Sequence, residues 1–289
     1  MIDLFGKRFI NNKVVDAMPY MGSKRKLATK IINTIYQVTD DFENFYDVFG
    51  GGAAVSVAAL MGGHKVYYSD INTAICNLLK YIQDGGKFPR HWVSRQEYHK
   101  LVKGDDWFAG LLQSVWSFGN NQKTYLFGKE IEDLKRQAHE YLLENGYDGS
   151  TKSRVKLVKQ FKREMKIKDR FELQQLERLQ QLEQLEQLER LEQLERLEIS
   201  NNSYSEIKIK PRSVIYCDPP YQGTAKYQDD IEHDKFYDWC LSNENPVFIS
   251  AYGMPLGFTE IASFRHRCTL SPNANNEVTE NLYWNGIKK

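Results

Sequence analysis

The sequence predicts an α/β protein whose sheet is interrupted by a helical insertion. Three observations predict it. Apolar segments of strand length, rich in β-branched and aromatic residues, fall at 44–49, 64–70, 213–217, 247–253 and 277–285. Helix-forming segments alternate with them on both flanks. Between residues 72 and 198 that alternation stops and helical patterns prevail, so the two flanks must meet to complete one sheet.

The first flank carries a cofactor-binding pattern. Asn44-Phe45-Tyr46-Asp47-Val48-Phe49 reads as a buried strand running into Gly50-Gly51-Gly52. A small-residue helix, 53–60, and a second strand, His64 to Asp70, follow. Strand, glycine loop, helix, strand and an acid about 20 residues on is the layout of an adenosine-cofactor βαβ unit. The glycines let backbone approach the ligand, and Asp70 can accept hydrogen bonds from ribose hydroxyls.

Residues 72–146 are helical in pattern, broken at Asp84-Gly85-Gly86 and by the polar stretch Ser117 to Tyr125. Amides and cations such as Asn120, Asn121 and Lys123 can read base edges, although a polar loop capping a helical subdomain has the same composition. Residues 151–170 hold nine Lys/Arg against two acids, which suits either a polyanion or a solvated helix face. Leucine then recurs every third residue from Leu173 to Leu197. In one α-helix each leucine falls about 60° behind the last, so the nine wind around the axis without forming a coiled-coil seam. Leu, Glu, Gln and Arg still favour helix, with Glu186/Arg190 and Glu192/Arg196 at i,i+4 spacing. The expectation is a helix of modest stability projecting from the core, or a solenoid-like stack, carrying no chemistry.

On the second flank, the strand Ser213-Val214-Ile215-Tyr216-Cys217 ends in Asp218-Pro219-Pro220-Tyr221. The prolines fix the local backbone. Carboxylate and carbonyl acceptors beside an aromatic face suit a planar substrate with an exocyclic amine, such as a nucleobase. A strand-terminating turn packed by a tyrosine reads the same. A helical segment at 234–241 and the two remaining strands complete the flank.

Bulk properties narrow the class. Hydrophobic residues make up 41% of the 289, enough for a real core, and no stretch approaches the roughly 20 apolar residues of a membrane span. Residues 1–8 show no apolar region of the secretory type. Cys76, Cys217, Cys240 and Cys268 are scattered, arguing against a disulfide framework or a zinc site and for a reducing cytoplasm. No metal is expected.

Taken together the motifs resemble the Dam (D12 class) DNA adenine-N6 methyltransferases. Phe49-Gly50-Gly51-Gly52-Ala53-Ala54-Val55-Ser56 is similar to that family's cofactor loop, Asp218-Pro219-Pro220-Tyr221 to its catalytic motif, and Tyr20-Met21-Gly22-Ser23-Lys24 to its N-terminal cofactor-side motif. Asp70 in Ser-Asp-Ile-Asn matches the second-strand acid, and Val278-Thr279-Glu280-Asn281-Leu282 resembles the closing segment. Ala53 stands where the family often has glycine, and the leucine repeat has no place in the minimal pattern.

The resemblance implies a Rossmann-like methyltransferase sheet with helices on both faces and a helical target-recognition insertion. It divides the chain into a cofactor-binding part, 1–75, an insertion, 76–170, the repeat, 171–198, and a catalytic part, 199–289. It implies S-adenosylmethionine as methyl donor, held by Tyr20, Lys24, Phe49, Gly50, Gly51, Gly52, Ala53, Asp70, Ile71 and Asp218. Asp218, Pro219, Pro220 and Tyr221 would act on a flipped-out adenine, with in-line transfer to N6. Double-stranded DNA would be contacted through Asn120, Asn121, Lys123 and Tyr125 and the basic segment. A monomer is expected, with the repeat a possible route to oligomers. Transfer to cytosine N4 or RNA adenine is the competing reading, followed by a non-catalytic DNA-binding scaffold. The target sequence is not legible.

Overall fold

The computed structural model describes residues 1, 8–39, 41–220, 231–267 and 277–287. They form two compact units, one comprising Met1–Ala17, Ser23–Cys76 and Gln193–Lys289, the other Met18–Gly22 and Asn77–Glu192. The first holds a seven-stranded sheet. In chain order the strands are β1 (Asn44–Asp47), β2 (Lys65–Ser69), β3 (Leu197–Ser200), β4 (Ser213–Cys217), β5 (Val247–Ala251), β6 (Thr259–Arg267) and β7 (Glu277–Trp284). Their order across the sheet is β3-β2-β1-β4-β5-β7-β6. β1 to β5 run parallel, whereas β7 is antiparallel to both β5 and β6. The first helices are α1 (Ala28–Val38), α2 (Ala54–Met61) and α3 (Thr73–Gln83). From β1 the chain builds outward through β2 to one edge and later returns to place β4 on β1's other side. Strand order therefore reverses between β1 and β4, and ligands of open α/β sheets bind outside the carboxyl ends of strands at such a point.

The second unit is helical. It contains the rest of α3, then α4 (Arg95–Leu101), α5 (Trp107–Val115), α6 (Lys129–Glu144), α7 (Thr151–Glu164), α8 (Arg170–Gln175) and α9 (Gln180–Leu188). Ser94, Asp106, Ser150 and Asp169 cap α4, α5, α7 and α8, each side chain accepting a first-turn amide.

The leucine repeat differs from the single projecting helix its composition suggests. It is broken after α8 and again after α9, and Leu176, Leu179, Leu182, Leu185, Leu188, Leu191, Leu194 and Leu197 are all buried. Within α9 three leucines drift over an arc of about 120°, which one buried face accommodates. Leu179, at φ −102° and ψ 79°, breaks the helix and resets the phase. The 3₁₀ turn Glu192–Arg196 then completes a turn in about three residues, so leucines spaced by three align. The last triplet enters the sheet as β3, with Leu197 opposite Val66.

The polar repeat positions are also engaged. Arg154 of α7 donates to Glu186 at 2.8 Å and Glu183 at 3.0 Å, so the expected Glu186/Arg190 pairing is replaced by a longer-range one. Lys135 of α6 donates to the Gln175 and Arg178 carbonyls at the α8–α9 break.

Returning to the sheet, α10 (His233–Ser242) places Phe236 and Cys240 against Tyr46, Val48, Ile215, Cys217 and Val247. Side chains alternate along a strand, and α2 meets the opposite face through Ser56 and Asp47. Both faces of β1 are thus covered, which is why its residues are buried without a polar side. The β6–β7 hairpin extends the sheet by a strand, β6, that sequence pattern did not reveal. Among the described residues no helix is long and apolar enough to cross a membrane, and no group of three His, Cys, Asp or Glu is arranged to hold a metal ion.

Candidate active site

The site lies at the carboxyl ends of β1, β2 and β4. After β1 the chain turns through Gly50-Gly51-Gly52 into α2. Gly50 packs beneath Tyr68, whose ring would lie 2.1 Å from an added Cβ, so no larger residue fits there. Gly51 at φ 46° and Ala53 at φ 61° are left-handed, a conformation that costs a residue with a Cβ about 1–2 kcal/mol. Glycine therefore suits position 53, and the alanine found there holds a strained backbone. The Tyr68 hydroxyl donates to the Gly51 carbonyl at 2.8 Å, and the Gly51 amide donates to Asp70 Oδ2 at 2.8 Å.

Asp70, at the end of β2, thus anchors the glycine loop. Its other oxygen accepts from the Asn72 amide at 2.8 Å. Burial raises its pKa, with the two amide donors acting the other way. Ile71 beside it is 49% exposed, an apolar face at the sheet edge. Phe49 is held from below by Tyr204 and by the edge of Phe236.

Asp47 closes β1 and is fully buried. Its Oδ2 accepts from the Ser56 amide at 3.1 Å and hydroxyl at 2.7 Å, while Oδ1 has no hydrogen-bond partner. Burial, with Asp218 and Asp70 nearby, pushes its pKa up to about 7. In the sequence Asp47 reads only as part of a strand, and an acid within a buried strand is the signal that marks it.

Asp218 follows β4, beside β1, with Tyr216 opposite Asp47 in register. Its carboxylate lies 2.7 Å from Lys24 Nζ, and the same ammonium lies 3.2 Å from Glu280. Lys24 is fixed from its backbone, because its carbonyl accepts from Leu27 and Ala28 at the start of α1. β7 runs antiparallel to β5, so its first residues lie at the sheet's carboxyl edge, with Asn281 opposite Ala251. That brings Glu280 to Lys24. Burial alone would lower the Lys24 pKa, but the Asp218 and Glu280 carboxylates outweigh it and hold the ammonium charged well above its usual range. Behind this group the Tyr216 hydroxyl and Ser250 Oγ bond at 2.7 Å. Pro219 is buried and Pro220 half-buried. Tyr221 lies outside the described residues.

Asp47, Asp70, Lys24 and Asp218, with the loop from Phe49 to Ala53, therefore share one edge of one unit. Tyr20 belongs to the other unit, as do the proposed DNA-reading residues. In the loop from Ser117 to Tyr125, the two ends pair as an isolated antiparallel bridge. Gly119, Asn120 and Gln122 are all left-handed, and Asn is among the residues that tolerate this best. Asn121 Oδ1 accepts from the Lys123 and Thr124 amides, and Asn120 donates to the Ser114 carbonyl, so both amides shape the loop. Lys123 is exposed. Tyr125 corrects the expectation of a DNA contact: it is 2% exposed, its hydroxyl donates to the Val93 carbonyl at 2.7 Å and Arg95 covers its ring. It supports the loop from within. Phe118, 62% exposed beside it, is the aromatic the loop presents outward.

A family model described as D12 class N6 adenine-specific DNA methyltransferase matches residues 20–239. A search of curated proteins returned no match.

Proposed function

The chain belongs to the D12 class of N6 adenine-specific DNA methyltransferases, and from that premise we propose how its residues carry the reaction. The methyltransferase family implies S-adenosylmethionine as donor, and when bound it supplies an electrophilic methyl group on a sulfonium. The residues fit a cationic donor. The Asp47 Oδ1 atom is a buried polar atom without a hydrogen-bond partner, and Asp70 and Asp218 add negative charge at the same edge. Asp70 orders Gly51 and offers its remaining lone pairs to ribose hydroxyls. Ile71 flanks the adenine, the loop that starts at Phe49 lies against the methionine portion, and Lys24 serves the same site.

The observation that carries this reading is the placement of Asp218 beside the glycine loop, where strand order reverses. Adenine N6 is a poor nucleophile because its lone pair is delocalised into the ring. Paired with an ammonium, Asp218 is a carboxylate, which only accepts hydrogen bonds. It takes one N6 hydrogen and the Pro219 carbonyl takes the other, which favours a pyramidal nitrogen with an available lone pair. Fixed acceptors of this kind stabilise charge developing on nitrogen. The adenine reaches them only outside the duplex stack, with Tyr221 as its stacking partner and Pro220 holding the turn. Asn120, Asn121 and Lys123 belong to the DNA-reading loop. Double-stranded DNA is the substrate, the cytoplasm the location and a monomer the working unit. No metal takes part.

The test uses labelled methyl donor on unmethylated DNA followed by nucleoside analysis. Label in N6-methyladenine is expected; label confined to N4-methylcytosine would overturn the base assignment. Asp218→Ala should abolish transfer while leaving donor binding, read by calorimetry, largely intact and only weakened by the lost charge. Unchanged turnover in that variant would remove Asp218 from the mechanism.

A further inference from the structure

We infer that α7 carries a sequence-independent rail for the phosphate backbone of duplex DNA, formed by Lys152, Lys156, Lys159 and Arg163. The inference rests on DNA being the substrate. At 100° per residue these four side chains fall within an arc of about 60°. Leu157, Val158 and Phe161, on the opposite side of the helix, are buried. All four cations are exposed, and none forms a salt bridge among the described residues. From first to last they span roughly 16 Å of helix axis. Successive phosphates of one strand rise about 3.4 Å along the duplex axis and also rotate around it, so a straight row of this length faces a few phosphates at once, which the four cations neutralise together.

The other basic residues nearby behave differently. Arg154 is buried against Glu183 and Glu186, and Lys162 donates to the Leu173 carbonyl. Structural work thus accounts for those two and leaves the outward row unexplained. That row costs the helix stability. Lys152/Lys156 and Lys159/Arg163 are like-charge i,i+4 pairs, each unfavourable by a few tenths of a kcal/mol. Lys152 also stands in the first turn, where the helix dipole disfavours a cation and no acid is present. A merely solvated face relieves such repulsion with interleaved acids, as the Arg136 pairs with Asp133 and Glu140 do on α6. Glu164, the one acid on α7, accepts from the Tyr141 hydroxyl and Gln160 instead. A polyanion laid along the row supplies the missing negative charge, and a continuous backbone matches its linear spacing.

The test compares wild type with a variant carrying Lys152→Gln, Lys156→Gln, Lys159→Gln and Arg163→Gln. A control variant carries glutamine at Lys80, Lys87, Lys100 and Lys103, four exposed lysines elsewhere in the same unit. Affinity for a labelled duplex is read by anisotropy across a salt series. The plot of log affinity against log salt should become shallower by about 0.9 for each phosphate no longer neutralised, up to roughly 3.6 for all four. The methylated base and preferred target should stay unchanged, and the thermal midpoint should not fall. An unchanged salt slope, or an equal change in the control, would overturn the rail. Wild type that transfers no methyl group to DNA adenine would instead overturn the substrate reading.

Discussion

Lys24 is the residue on which the site's charge balance turns. One buried ammonium serves two carboxylates, Asp218 at 20% side-chain exposure and Glu280 at 5%. Removing one partner of a buried ion pair leaves uncompensated charge and costs about 3–5 kcal/mol. Lys24→Met should therefore lose stability of that order in urea denaturation. Adding Glu280→Gln to it should recover part of the loss, because the more deeply buried charge is then gone. A double variant no more stable than the single one would show that the Lys24–Glu280 contact does not govern the effect. The lysine was legible from its motif, but its second partner was not. Glu280 arrives from a strand more than two hundred residues away in sequence, and only the antiparallel return of β7 puts it there.

At the scale of elements, the strands were the most legible part of the chain. Burial on both faces makes β4 and β5 near-continuous apolar runs and leaves all four residues of β1 buried, and the glycine loop is marked by positions that a Cβ would crowd or strain. The leucine repeat was less legible, because the phase of its leucines follows from sequence only along one uninterrupted helix. Two breaks and a 3₁₀ turn remove that premise, and the side chains that secure the first break, Lys135 among them, come from elsewhere in the chain. Burial of the repeat has a direct consequence. Leu185→Ala, at 2% exposure, should cost about 2–5 kcal/mol, as for other buried leucines. Leu173→Ala, half-buried at the start of the repeat, should cost distinctly less. Urea midpoints for the two variants decide it; equal, small losses would restore the projecting helix.

For the molecule as a whole, the site's acids set a pH dependence of stability that opposes that of its histidines. Asp47 is raised from 3.8 to about 7, chiefly by burial. Between those values the folded chain keeps a proton that the unfolded chain has released, so rising pH destabilises the fold through this group. His64 is lowered from 6.5 to about 4, again chiefly by burial, with Arg8 adding to it. In its window the unfolded chain binds the proton, so falling pH destabilises. Asp70 is shifted in the same direction as Asp47, and His139 in the same direction as His64. The contributions oppose one another across mildly acidic pH, so the profile of the intact protein does not isolate the acid. Comparing Asp47→Asn with wild type isolates it. From pH 4.5 to 6.5 the difference in unfolding free energy should move in the variant's favour by about 1.4 kcal/mol per pH unit, one proton's worth. Denaturant titrations at several pH values within that range supply the measurement. A gap that stays constant would mean that Asp47 is ionised in the folded protein throughout, and its unpartnered oxygen would then need a different account.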